Sequence, residues 1–388
     1  MDILTQAMTL RTKLTDWRRR LHRCPEVGVD LPQTKAFVLQ ELTALGYTPK
    51  DLGKGGVVAE IGAGDTVLLR ADMDGLPAKE EGTLEFSSQN GNFHGCGHDL
   101  HTAMLLGAAA LGKRYETTLP CRIRFFFQTG EEVLQGAQYG VRAGVCDGVG
   151  RAYMLHVAVN TRLKAGTVLL PPAGVIAPSA DYFEIAVRGK GCHGADPASG
   201  VDSLSVAARI LLGLQHLPAE ELPSGERAAL TVASLQGGNS YNVLPDHARL
   251  QGSLRCYNED LRRRWKERVE EISTSLSSAF RAEASLSFPA GCPSLYNSTP
   301  LRERGKKVLP SILGDRLLVL NTPSGTAGSE DFAVISHAVP SLMLALAAGD
   351  PKVGLHHPKV TFDEACLPYG TAALFGLAFL GKPDGSSE

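Results

Sequence analysis

Residues 56–74, GVVAEIGAGDTVLLRADMD, hold two apolar runs, GVVAEIG and TVLLRADMD, separated by Ala63-Gly64-Asp65. Short apolar runs bounded by turn residues read as buried strands. The second run ends in acids, Asp72 and Asp74. Working outward, HTAMLLGAAALGKRY (101–115) reads as a deeply packed helix, CRIRFFFQTGEE (121–132) as a strand with a polar end, and RAYMLHV (151–157) as another strand. Upstream, ILTQAMTLRTKLTDWRRRLHR (3–23) has helical periodicity. LPQTKAFVLQELTALG (31–46) is a second helix, with Gly46 past its end. Alternating helix and strand predicts an α/β fold with a mixed, mostly parallel sheet flanked by helices. Ligands in such sheets collect at the carboxyl ends of the strands, where Asp72, Asp74, Glu131, Glu132 and His156 fall.

The middle of the chain has a different order. DYFEIAVRG (181–189), RAALTVASLQGG (227–238), LPDHARLQGSLRCY (244–257) and RAEASLSF (281–288) read as strands, and VDSLSVAARILLGLQHL (201–217) and EDLRRRWKERVEEISTSLSSAF (259–280) as helices. The sequence βαββαβ predicts an α+β, ferredoxin-like unit. The expected organisation is a discontinuous catalytic domain, residues 1–177 and 294–388, interrupted by a satellite domain, residues 178–293. The tail GKPDGSSE (381–388) is expected to fray.

Bulk properties exclude several classes. The net charge of -2 over 388 residues gives no basic field to hold nucleic acid or an anionic membrane. The start MDILTQAMTL lacks signal-peptide features, and no apolar run is long enough to span a bilayer. The 8 cysteines form no CxxC, which fits a reducing, cytoplasmic setting and speaks against thiol redox chemistry at Cys96. GKGCHG lacks the Ser or Thr of a phosphate loop, IGAGDT lacks the third glycine of a dinucleotide loop, and there is no GxSxG or HExxH. The clusters RRRLHR and LRRRWKER read as solvated helix faces.

NFHGCGHDLHTA (92–103) carries the densest chemistry. Its glycines favour a bent loop over a helix, so Cys96 and His98, two apart, can point to one side. Thiolate and imidazole together suit zinc and its neighbours. His101 lies one helical turn past His98, but the helix is expected to start near Asp99, so His101 reads as a packing or supporting residue. Glu131 and Glu132 are adjacent, so they are expected to do different jobs.

Ten segments together resemble the metal-dependent aminoacylase/carboxypeptidase family, in its amidohydrolase branch. They are RRRLHRCPEVG, LLRADMDGLP, HGCGHDLHTAML, QTGEE, LHV, GKGCHGADP, NVLPD, GSLR, GSEDF and LHHPKVTFDE, in family order over nearly the whole chain. The resemblance implies two divalent metal ions, with zinc, manganese, cobalt and nickel all compatible, held by Cys96, His98, Glu132, His156 and His356. It implies Glu131 as general acid/base, Asp74 as a residue orienting a ligand, and His193 as an oxyanion stabiliser that reaches across a dimer interface in many relatives. Asn242 and Arg255 match residues that hold a substrate carboxylate. Cys192, Gly95 and the QTGEE spelling depart from the usual pattern. The expected protein is a cytoplasmic homodimer or higher homo-oligomer that hydrolyses N-acyl amino acids. A dipeptidase or carboxypeptidase of the same family is the alternative, and a catalytically silent binding protein a remote one.

Overall fold

The computed structural model describes residues 2–322 and 328–380, so the tail GKPDGSSE lies outside the described residues. Two compact units result: one from residues 2–176, 296–322 and 331–380, the other from 177–295 and 328–330.

The first unit is built on an eight-stranded sheet in the order Lys50–Asp51, Gly56–Ile61, Arg122–Gln128, Thr66–Asp72, Val149–Ala158, Ser341–Ala347, Val168–Leu170, Leu317–Val319. The four central strands, from Arg122–Gln128 to Ser341–Ala347, run parallel, and antiparallel pairings lie outside them. Thr66–Asp72 is buried at every position, as the run TVLLRAD requires of a strand covered on both faces. His98–Arg114 is apolar around most of its circumference because it is enclosed. Leu100, Ala103, Met104, Leu105, Leu106, Ala108, Ala109 and Leu111 are fully buried, packed with Leu14, Trp17, Thr371 and Phe375 in one core.

The single helix expected over 3–23 is two helices, Ile3–Thr9 and Arg11–His22. The break comes at Leu10, where the backbone N–H bonds Ala7 in a tighter turn, while the Thr9 hydroxyl takes the Gln6 carbonyl. A threonine that satisfies a helical carbonyl with its side chain competes with continuation of the helix.

The second unit has a four-stranded antiparallel sheet in the order Ala228–Gly237, His247–Cys256, Ala180–Arg188, Glu283–Cys292. That order and the helices Ser203–Leu214 and Glu259–Ala279 are the ferredoxin-like arrangement read from the sequence. The side chains of Asp202 and Asn258 cap the two helices by accepting backbone N–H groups of their first turns. Ile185, Ile210, Leu250, Leu254, Trp265 and Val269 close its separate core.

Among the described residues, no helix is long and apolar enough to cross a membrane.

Candidate metal centre

The site grows from the carboxyl ends of the central parallel strands. Thr66–Asp72 delivers Asp72 and then Asp74; Arg122–Gln128 leads into the turn bearing Glu131 and Glu132; Val149–Ala158 carries His156 near its end. The Glu131 turn is tight: Leu134 N–H bonds the Glu131 carbonyl at 2.8 Å, with Leu134 at φ 54. Gly97, at φ 84, starts the helix His98–Arg114, and a Cβ there would run into Val157. Glycine is the residue that meets both demands. His356 also has a positive φ, 67°, and its N–H donates to the Gly95 carbonyl at 2.9 Å, tying the late histidine to the Cys96 loop.

The structure gathers the expected donors. Cys96 Sγ lies 3.5 Å from His156 Nε2, and His356 Nε2 lies 3.5 Å from Glu132 Oε1. His98 Nε2 is 3.9 Å from Glu131 Oε2 and 4.0 Å from Glu132 Oε1. The adjacent acids do not diverge as successive strand residues would, because the chain is turning there. Two donor groups, Cys96–His98–His156 and Cys96–Glu132–His356, share the cysteine, and His98–Glu131–Glu132 forms another beside them.

Hydrogen bonds fix which ring nitrogens are available. His98 Nδ1 donates to the Asp74 carbonyl at 2.9 Å and faces Asp74 Oδ1 at 3.3 Å. His156 Nδ1 donates to the Val157 carbonyl at 2.7 Å. Both rings therefore leave Nε2 as the nitrogen turned to the site, the arrangement of metal-binding imidazoles. His98 Nε2 and Glu132 Oε1 are buried with no hydrogen-bond partner. Such groups are costly unless something compensates them.

Electrostatics call for positive charge. Burial, with Asp74 and Asp72 adding to it, pushes Glu132 up to about 7 although His98 opposes the shift. Burial raises the Cys96 thiol well above its ordinary value, and Glu132 and Glu131 add to the rise. Burial favours neutral His98, yet Asp72 outweighs it and the imidazole is raised well above its usual value. Divalent cations relieve this crowding and ionise a coordinating thiol outright. The donors fit two cations.

Asp74 is a brace. Besides His98, it receives the Glu132 backbone N–H on Oδ2 at 3.0 Å. Asp72, unassigned by the sequence reading, accepts from His101 Nδ1 at 2.6 Å and from Arg70 Nη1 at 2.6 Å, all fully buried. Arg70 in turn meets Asp331 Oδ1 at 2.8 Å, which Gln128 also bonds. The alternation of buried acid and base across RADMD and HDLH was the available signal.

The solvated reading of RRRLHR needs correction. Arg18 and His22 are 1% exposed. Asp99 Oδ2 accepts from Arg18 Nε at 2.7 Å and from His22 Nδ1 at 2.8 Å, and Arg18 and Arg19 both bind Glu364. Counting charges by run hid the fact that positions 18 and 22, one helical turn apart, share the inward face with Leu14 and Leu21. In LRRRWKER, by contrast, Arg263 and Arg264 are solvent-exposed.

His193, Asn242 and Arg255 lie in the second unit. His193 and Asn242 sit on one exposed ribbon: Cys192–His193 pairs with Val243–Leu244, and Gly194 N–H bonds the Asn242 carbonyl at 2.6 Å. Arg255, half-buried on His247–Cys256, donates to Ser329 Oγ at 2.8 Å.

Residues 68–379 match the model of peptidase family M20/M25/M40. The chain belongs to that family. It is 33% identical over 368 residues to N-acetyl-L-cysteine deacetylase of Bacillus subtilis, covering 92% of this chain and 86% of the relative. It is 36% identical over 295 residues to N-acyl-L-amino acid amidohydrolase of Geobacillus stearothermophilus, covering 74% and 79%. A crystal structure of a Bacillus subtilis protein described as a dinuclear metal binding peptidase from the M20 family superposes with a TM-score of 0.79 at 29% identity, over 96% of this chain and 99% of that one. The chain is a metal-dependent hydrolase of this family, with the amidohydrolase branch supported by these relatives.

Proposed function

We propose that the protein hydrolyses the amide bond of N-acyl amino acids, releasing a carboxylic acid and a free amino acid. The observation that carries this reading is the pair of buried atoms without a hydrogen bond, His98 Nε2 and Glu132 Oε1, gathered with Glu131 around one cluster. Two cations held by Cys96, His98, Glu132, His156 and His356 would polarise the scissile carbonyl and lower the pKa of a bound water to about 7.

Glu131, outside the two donor groups that share Cys96, takes a proton from the attacking water and returns it to the departing nitrogen. The amine then leaves as the C–N bond breaks and the acyl carbon keeps the water oxygen. Arg255 pairs its guanidinium with the free carboxylate of the amino-acid half, and Asn242 bonds the same group. His193 stabilises the oxyanion, from the partner subunit of a cytoplasmic homodimer.

The relatives named as a deacetylase and an amidohydrolase support this substrate class, whereas the neighbour described as a peptidase supports the peptidase alternative instead. Assay of the chain, reconstituted separately with zinc, manganese, cobalt and nickel, against hippurate, N-acetyl amino acids and dipeptides separates the two. Turnover of dipeptides alone would overturn the amidohydrolase assignment. A monomer by light scattering with full activity would remove His193 in trans.

A further inference from the structure

The strand Val149–Ala158 loses one neighbour before it reaches the metal centre: pairing with Thr66–Asp72 ends at Arg70 opposite Met154. Beyond that point the Val157 N–H has no ladder partner on this side and donates instead to His101 Nε2 at 2.8 Å. An N–H donor can only meet an unprotonated nitrogen, so the proton of a neutral His101 sits on Nδ1. There it is received by Asp72 at 2.6 Å. Asp72 is itself held: its second oxygen accepts from Arg70, and its carbonyl accepts from Thr102 Oγ1 at 2.9 Å.

His101 lies near Asp72 and His98 in a group whose atoms could bind a metal ion. Both of its ring nitrogens are nevertheless committed elsewhere. Its ring meets that of His156 edge-on, with centroids 4.6 Å apart. His156 in turn orients its own ring by donating to the carbonyl of Val157, the same residue whose N–H His101 holds.

We propose that His101 is a positioning residue, kept in its Nδ1–H tautomer by Asp72 so that Nε2 replaces the missing ladder bond at Val157 and fixes the ring of His156. The proposal rests on the two-cation reading of the site. It assigns Asp72 and His101 a supporting role although their positions alone would admit them as metal donors.

The test uses the full chain with ¹⁵N-labelled histidine and zinc as the probe. In the metal-free protein, His101 should show protonated Nδ1 and bare Nε2. Added zinc should move the Nε2 signals of His98 and His156 and leave the His101 tautomer unchanged. A zinc-ligated His101 Nε2 signal would overturn the proposal. Two variants divide the role: His101→Gln can return an acceptor to Val157, whereas His101→Asn keeps only a donor toward Asp72. Zinc affinity, read by chelator competition on folded protein, should fall by about 10–100-fold in His101→Asn and be substantially restored in His101→Gln. Wild-type affinity in folded His101→Asn would overturn the positioning role alone. Failure of the wild-type chain to take up zinc would instead defeat the two-cation reading, and the proposal with it.

Discussion

Asp74 holds His98 twice, through its backbone carbonyl at 2.9 Å and its carboxylate at 3.3 Å from the same Nδ1. The other carboxylate oxygen takes the N–H of Glu132. One side chain therefore sets the relative placement of two donors from distant segments. Asp74→Ala should lower metal affinity by about 10–100-fold, with a smaller loss in Asp74→Asn, which keeps one acceptor. Chelator competition measures this, and an unchanged affinity in the alanine variant would show that the donors are placed without it.

Glu131 lies within 3.9 Å of His98 Nε2 but outside both donor groups that share Cys96. Glu131→Gln should keep its metal content and lose about 10²–10⁴-fold in kcat, the usual contribution of a positioned acid/base. Metal analysis and steady-state kinetics on the same preparation check it. Hydrolysis at the wild-type rate would exclude Glu131 from proton transfer.

Metal uptake should depend steeply on pH. In the metal-free protein burial holds Glu132 at about 7 and keeps the Cys96 thiol protonated at neutral pH. Both must lose protons to coordinate, so apparent affinity should rise through pH 7 and uptake should release protons. Calorimetry in buffers of different ionisation enthalpy reads the proton count. Uptake with no proton release between about pH 6 and pH 8 would contradict this account.

The Arg18–Asp99–His22 cluster makes a separate stability prediction. Despite burial, Arg18 and His22 hold Asp99 well below the usual carboxylate range. A carboxylate depressed on folding stabilises above its unfolded value of about 3.9, and this contribution is lost as pH falls through the folded pKa. His22 carries the opposite sign: burial is outweighed by Asp99, its pKa is raised, and its contribution is present below the unfolded value and lost on the alkaline side. Asp99→Asn should therefore reduce the steepness of acid unfolding. It should also cost about 3–5 kcal/mol at neutral pH, because it leaves Arg18 buried with its main partner neutral. Denaturant melts of metal-free protein across pH test both effects.

Much of the fold was legible because its signals were local. The apolar run Val67–Leu69 within TVLLRAD announced a buried strand, and the alternation in the middle segment announced the ferredoxin-like order. The convergence of Cys96, His98, Glu132, His156 and His356 came from resemblance, since no spacing within one chain predicts which distant segments meet. Buried charge was read poorly. Arg18 and His22 looked like solvent-facing residues because their acceptor, Asp99, stands 81 and 77 positions away. His101 was read as a packing or supporting residue, but its partners were not: it accepts a backbone N–H at Val157, which has no signature in residue type, and it bonds Asp72, which went unassigned. The break at Leu10 depends on a threonine hydroxyl choosing a helical carbonyl, a competition too finely balanced for periodicity to register.

The bond from His356 N–H to the Gly95 carbonyl has a bearing on biogenesis. It joins residues separated by most of the polypeptide, and closing so long a loop is slow compared with local helix formation. A nascent chain emerging from the ribosome carries Cys96 and His98 long before it owns His356. With His356 among the proposed ligands, tight capture of a second ion would wait for the C-terminal segment to dock, so full metallation would mark completed synthesis.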